Sequence, residues 1–404
     1  MLLKKLIENC PKKLSNIKVT GLSSDSRKLK KGNLFFALKG FNNNGEKFIN
    51  EALNRGACAV VSSSFSKKNF KIIKVKNIRD YLGKVCSKFY YRKPKNIIAV
   101  TGTNGKSSVA DFFHQIFSLN KIPVATIGTL GIKTNSLKKN NLTSPDVISM
   151  HKELSNFKEK KIENVLLEAS SHGLNQGRIN GIDFKAGIFT NFSQDHLDYH
   201  KSMKNYLNAK LLLFKKILKK NSYVILDKEI PQTKIIEKIS KIRGLRKVYI
   251  NFFLKNYDLT NFKLVGRFQE KNLLMAIKAC EILGLSKNKI SKCLGKLNNA
   301  KGRLELVKNF PDGTKVFIDF AHTPDAITTA INALKDHFKK KITIVFGCGG
   351  ERDKGKRKKI ARIVNKLCYK IYVTDDNPRR EKPEEIRRAI SKHINKKKCF
   401  EIGN

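Results

Sequence analysis

From about residue 96 onward, short continuous apolar runs alternate with stretches of helical spacing. The runs "NIIAV" (96–100), "NVLLE" (164–168), "AGIFTN" (186–191), "SYVILD" (222–227), "KVFID" (315–319), "ITIVFG" (342–347) and "KIYVTDD" (370–376) predict strands. Helices are predicted at about 106–118, 146–158, 203–219, 270–284, 324–338, 356–367 and 383–394. Strands without polar alternation are buried on both faces, so the pattern predicts an α/β fold with a helix-covered parallel sheet. The first 90 residues differ: "GLSSDSRKLKKGNLFFALKG" sets turn residues around short strands, and "EKFINEALNRGACAVV" reads as a helix entering a strand. We expect a small α/β domain over 1–92, joined through "YRKPKN" (91–96) to a central domain over 93–299. A second boundary near "LNNAKGR" (297–303) opens a C-terminal domain over 300–404.

Polar clusters follow the strands: Gly102–Ser107, Ser170–His172, Asp195–His200, Ala321–Asp325, Gly347–Lys356 and Asp376–Arg379. Open α/β sheets bind ligands beyond the carboxyl ends of their strands. "AVTGTNGKSS" (99–108) ends like a phosphate-binding loop, but Val100 stands where the general signature G-x-x-x-x-G-K-[ST] has its first glycine. A strand, a two-glycine turn and a Lys-Ser helix start would still aim backbone N–H groups, a helix N-terminus and the Lys106 charge at a phosphate. A strand–helix turn with an incidental lysine is the plain alternative.

In "LEASSHGLNQGRI" (167–179), Glu168 ends a strand and would face the site; a capping Ser-Ser with a surface histidine explains it as well. "TNFSQDHLDYH" (190–200) packs Asp195, His196, Asp198 and His200 together. Magnesium on oxygen ligands, zinc on the H-x-x-x-H pair, or a plain polar loop would each account for it. "FGCGGERDKGKR" (346–357) offers a second anion cradle, and in "TDDNPRR" (374–380) Arg379 and Arg380 could fork a carboxylate. Either segment also reads as a charged surface loop.

Composition narrows the classes. The 404 residues suit two or three domains. There is no run of eighteen apolar residues, and "MLLKKLIENC" is too short in apolar stretch for a signal peptide, so a cytoplasmic, non-membrane protein is expected. Eight scattered cysteines without a C-x-x-C pair favour reduced thiols. A net charge of +50 admits a nucleic-acid binder, but the lysines are spread along the whole chain and no nucleic-acid motif accompanies them. A lysine-biased surface that attracts anionic small substrates fits better, with no nucleic acid expected.

Jointly the clusters resemble the Mur ligases, ATP-dependent amino-acid-adding enzymes of peptidoglycan synthesis. Their short loop G-T-N-G-K-[ST] matches Gly102–Ser107. Asp25-Ser26-Arg27, Thr143-Ser144-Pro145, Glu168 through Gln176 to Arg178, Thr190 to His200, 321–325 and 347–357 match further family segments, over nearly the whole chain. The resemblance implies a three-domain architecture, with a central P-loop-type parallel sheet and a Rossmann-like C-terminal domain. "DNPR" (376–379) matches members that add meso-diaminopimelate rather than lysine. The implied partners are ATP, meso-diaminopimelate and UDP-N-acetylmuramoyl-L-alanyl-D-glutamate, whose carboxylate is phosphorylated and then taken by the amine. A monomer is expected. A lysine-adding member and a nucleic-acid-binding NTPase are the rival readings.

The resemblance also implies roles. Gly102, Thr103, Asn104, Gly105, Lys106, Ser107, Ser108, Asn272, His322 and Asp325 would hold ATP. Lys106, Lys210 and His196 would be catalytic, with Ser107, Glu168, His196 and a carbamylated Lys210 around magnesium. Ser24, Ser26, Phe41, Asn42 and Asn43 would hold the UDP group, and Thr143, Ser144, Ser170, Gln176 and Arg178 the muramoyl peptide. Arg352, Asp376, Asn377, Pro378 and Arg379 would hold diaminopimelate. Three departures stand out: Leu142 and Gln269 each replace a usual asparagine, and 228–265 is shorter than usual. The chain also ends at "CFEIGN", before the G-K-G-H-E segment of the family, so a fragment or an incomplete amino-acid site is expected.

Overall fold

The computed structural model describes residues 1–40, 44–64, 70–135, 138–139, 145–252, 257 and 265–403. Phe41, Asn42, Asn43, Leu142, Thr143 and Ser144 lie outside the described residues. The chain divides into two compact units. The first holds Met1–Ile97, Pro123–Lys185 and Lys216–Lys219; the second holds Ile98–Ile122, Ala186–Lys215 and Lys220–Asn404.

In the first unit, Gly21–Ser23, Asn33–Phe36, Ala59–Ser62 and Ile72–Lys74 form a parallel sheet in that order. Leu34, Phe36, Ala59 and Val61 turn into one core with Leu82, Val85 and Cys86 of the helix Ile78–Phe89. Phe35 and Val60 alternate to the other face, against Ile49 and Ala52. Both faces are thus covered, as buried parallel strands require. The strand Asn164–Glu168 runs parallel to Val124–Gly128.

Val124–Gly128 then pairs antiparallel with Gly131–Thr134, an antiparallel addition to the parallel strands. Only Thr129 and Leu130 join the two strands, and Gly131 has φ 87, so the chain reverses directly as a hairpin.

In the second unit, Arg246–Tyr249, Tyr223–Leu226, Ala186–Phe189 and Asn96–Thr101 lie side by side and parallel. Helices Lys106–Leu119 and Arg267–Ile282 follow, the first beginning directly beyond Thr101. Further on, Thr343–Phe346, Lys370–Val373 and Cys399–Glu401 make a parallel sheet. Its core is Ile360, Ala361, Val364, Ile371, Val373, Ile386 and Ile390. The predicted strand near 315–319 is the second half of an antiparallel hairpin with Glu305–Asn309. Every predicted helix is present, with Pro324–Phe338 matching its expected bounds. No helix among the described residues is long and apolar enough to cross a membrane.

Candidate active site

The strand Asn96–Thr101 delivers Gly102 at φ 149 and Gly105 at φ 83, two conformations that suit glycine. Space demands glycine as well. A Cβ on Gly102 would strike Thr190 Oγ1, and one on Gly105 would strike Asn272 Oδ1. The loop is fastened by the segment that follows Ala186–Phe189. Thr103 N donates to Asn191 O (3.0 Å), and Asn104 N to Asn191 Oδ1 (2.8 Å). Thr190 Oγ1 and Asn191 Nδ2 donate to Asn104 O at 2.6 and 3.1 Å. No side chain caps Lys106–Leu119. Its first N–H groups and the positive end of its dipole therefore face the loop.

Two lysines converge on one carbonyl. Lys106 Nζ donates to Gly102 O (3.0 Å) and Thr103 O (2.8 Å), and Lys210 Nζ donates to the same Gly102 O (2.7 Å). Lys210 is 1% exposed and lies 4.4 Å from the Tyr206 ring centre. Burial, followed by the nearby Lys106 charge, holds its pKa well below the usual lysine value despite the opposing pull of Asp195. Burial thus favours the uncharged form of the amine, unlike at an ordinary helix-surface lysine.

Ser107 is buried, and its hydroxyl accepts from Arg303 Nη2 at 3.2 Å. Arg303 lies outside the predicted set. Its Nε is buried without a hydrogen-bond partner, and its guanidinium sits 5.3 Å from the Phe320 ring centre. A second cation thus stands at the loop with hydrogen-bonding capacity unspent. "KGRLE" carries no local signal for this beyond its place at a domain boundary.

The 193–198 segment meets the C-terminal motifs. Asp195, 5% exposed, lies 3.3 Å from the Nε2 atoms of both His196 and His322 and 3.5 Å from Lys356 Nζ. Burial would raise its pKa, but the His322 hydrogen bond and the His196, His322 and Lys356 charges hold it well below the carboxylate range. Asn104 Nδ2 reaches Asp325 Oδ2 at 3.4 Å, Arg352 pairs with Asp198 at 3.6 Å, and Gln194 Nε2 donates to Asp353 Oδ2 at 2.9 Å.

The glycine-rich 347–357 segment and the DNPR segment are one structure. Gly350 N donates to Asn377 O (2.9 Å), and Arg379 Nη1 returns a bond to Gly350 O (2.6 Å). Asp376 Oδ1 accepts from Asn377 N, and Pro378 O from Glu381 N. Arg379 is thus held on a main-chain carbonyl of the glycine-rich segment. Arg357 makes a two-point contact with a carboxylate of the chain itself, at 3.0 Å from each Glu381 oxygen.

In the first unit, Glu168 is 2% exposed and accepts from Thr129 N and Oγ1, both at 3.0 Å. Ser170 caps the helix Ser171–Asn175, and Arg178 Nε donates to Gln176 Oε1. Arg79 joins Gln176 O (3.1 Å) to Lys39 O (2.7 Å), which brings the 170–178 turn to the segment before residue 41. Ser26 Oγ donates to Glu51, and Ser24 is half-buried beside it in sequence. Among the described residues no three His, Cys, Asp or Glu side chains converge as a metal cage. His200 lies instead against the rings of Tyr199 and Tyr206.

Comparison with known proteins agrees with this arrangement. Residues 18–90 match the catalytic domain model of the Mur ligase family, 100–280 the Mur ligase middle domain, and 302–402 the Mur ligase glutamate ligase domain. A Rickettsia conorii protein named UDP-N-acetylmuramoyl-L-alanyl-D-glutamate–2,6-diaminopimelate ligase is 39% identical, over 96% of this chain and 86% of its own. A solved structure of an enzyme of that name is 27% identical, with TM-score 0.71, over 100% of this chain and 88% of its own. Mycobacterium tuberculosis folylpolyglutamate synthase, solved with ADP and AMPPCP, is 15% identical with TM-score 0.65, over 81% of this chain and 85% of its own, and shares the fold.

Proposed function

This chain belongs to the Mur ligase family, and from that premise we propose that it joins meso-diaminopimelate to UDP-N-acetylmuramoyl-L-alanyl-D-glutamate with hydrolysis of ATP to ADP and phosphate. The observation that carries the reading is the 102–107 loop, with Lys106, Lys210 and Arg303 gathered on it. A D-glutamate carboxylate oxygen attacks the γ-phosphorus, ADP leaves, and an acyl phosphate forms. The diaminopimelate amine then attacks the acyl carbon, and phosphate departs with the original carboxylate oxygen.

In this reading the loop amides, Lys106 and Arg303 balance charge on the transferring phosphoryl group. Burial favours the uncharged amine of Lys210, the form that adds carbon dioxide to give a carbamate. The donors Ser107, His196 and that carbamate suit magnesium, a hard cation served by few protein groups. Magnesium, when bound, neutralises phosphate charge. Glu168 is a buried carboxylate oriented by Thr129. Ser24 and Ser26 serve the UDP group, and Ser170, Gln176 and Arg178 the muramoyl peptide. Asn272, His322 and Asp325 serve ATP. Arg352 and the 376–379 turn receive the amino acid, whose second carboxylate is what lysine lacks.

An amino-acid panel tests the specificity. Phosphate release with the UDP-muramoyl dipeptide should respond to meso-diaminopimelate and not to L-lysine. An equal response to lysine, or hydrolysis stimulated by nucleic acid without the dipeptide, would overturn the reading.

A further inference from the structure

Gln269 is 0% exposed near the start of the helix Arg267–Ile282, and both ends of its amide are committed. Its Oε1 accepts from Asn272 Nδ2 at 3.0 Å. Its Nε2 donates to Asn299 Oδ1 at 3.0 Å and lies 3.4 Å from the main-chain oxygen of Arg303. Asn299 Nδ2 continues the chain to Leu304 O at 2.9 Å. Both branches return to the phosphate loop, since Asn272 packs on Gly105 and Arg303 reaches Ser107 Oγ.

We propose that Gln269 is a positioning residue for the phosphate chemistry: it seats Asn272 on Gly105 and the 299–304 segment at the height from which Arg303 reaches Ser107. The inference rests on the ATP-dependent activity proposed above. A buried amide holding a donor and an acceptor on opposite sides cannot relax without leaving one partner unpaired, which is costly in a dry site. A shorter side chain would hold one branch and release the other. The 0% exposure of Gln269 leaves it no surface for a nucleotide, so its effect passes through Asn272 and Arg303.

The test is a double-mutant cycle on phosphate release, with ADP affinity measured beside it. Gln269→Met keeps the shape and removes both bonds. It should lower kcat about tenfold with the KM for diaminopimelate unchanged. In an Arg303→Ala background the same change should cost less than the full tenfold, because one of its two routes is already lost, and in an Arg303→Ala, Asn272→Ala background less than about twofold. Asn299→Ala, which cuts only the far branch, should lower kcat in the same direction and guards against a Gln269→Met chain that fails to fold. Wild-type kcat in Gln269→Met, or the full loss persisting in the Arg303→Ala, Asn272→Ala background, would overturn the proposal alone. A parent chain that neither binds ADP nor releases phosphate would overturn the activity and this proposal together.

Discussion

Residue chemistry at this site depends on burial that no local pattern announces. Lys210 stands in "YLNAKLLLF" as one lysine among many, yet it is buried, with its amine on Gly102 O. Lys106 was legible because a strand and two glycines frame it; Arg303 was not, because its role arises from a fold that carries it 196 residues back to Ser107. Lys106→Ala should reduce turnover about a hundredfold or more, with an unchanged thermal transition; wild-type rates would refute its assignment. His151 gives a pH prediction. It is fully buried with Nε2 on Asn180 O (2.9 Å), and burial, then the Lys93 charge, lowers its pKa to about 4. The unfolded chain therefore binds the extra proton between pH 6.5 and 4, so this contribution is present above 6.5 and fades as the pH falls. Between pH 7 and 5 the native chain should lose about 2 kcal/mol more than His151→Gln in urea unfolding. Equal losses would show that the imidazole does not titrate this way.

Among elements, the strands that carry the site were legible as uninterrupted apolar runs, and their helices as periodic ones. The hairpin Val124–Thr134 was not, since "VATIGTLGIKT" offers short strands without a strong alternation. The strand Arg246–Tyr249 also escaped notice, being an edge strand with two exposed residues at its start. The phosphate loop shows why its pattern is short: Gly102 is crowded by Thr190 and Gly105 by Asn272, so those two positions, not Val100, need glycine. Helix Ile78–Phe89 supplies a test in which two effects oppose each other. Gly83→Ala should gain about 1 kcal/mol of helix propensity. The added Cβ, however, would lie 2.8 Å from Asn180 C and 2.9 Å from Asn180 O, and overpacking of that kind costs about 1–3 kcal/mol. A fall in Tm is expected; a rise would mean that the backbone at Asn180 yields freely.

At the scale of the whole molecule, 83 basic against 33 acidic residues give a field that draws in anions. The UDP-linked substrate and ATP proposed above are both anionic, so such a field would favour their capture. Raising ionic strength from about 0.05 to 0.5 M should raise KM for the UDP-linked substrate severalfold while kcat changes little. A flat KM would mean that the excess charge plays no part in substrate capture. The family was legible because its motifs fall at the ends of successive strands. The contacts that join those motifs were not, because Asp195 with His322 and Lys356, and Asn104 with Asp325, meet only after folding.

The most direct measurement follows oxygen. With the D-glutamate side-chain carboxylate of the UDP-muramoyl dipeptide labelled in ¹⁸O, one turnover through an acyl phosphate carries one labelled oxygen into the released phosphate. That transfer is expected, dependent on ATP and meso-diaminopimelate together. Phosphate that emerges unlabelled while the amide forms would contradict it.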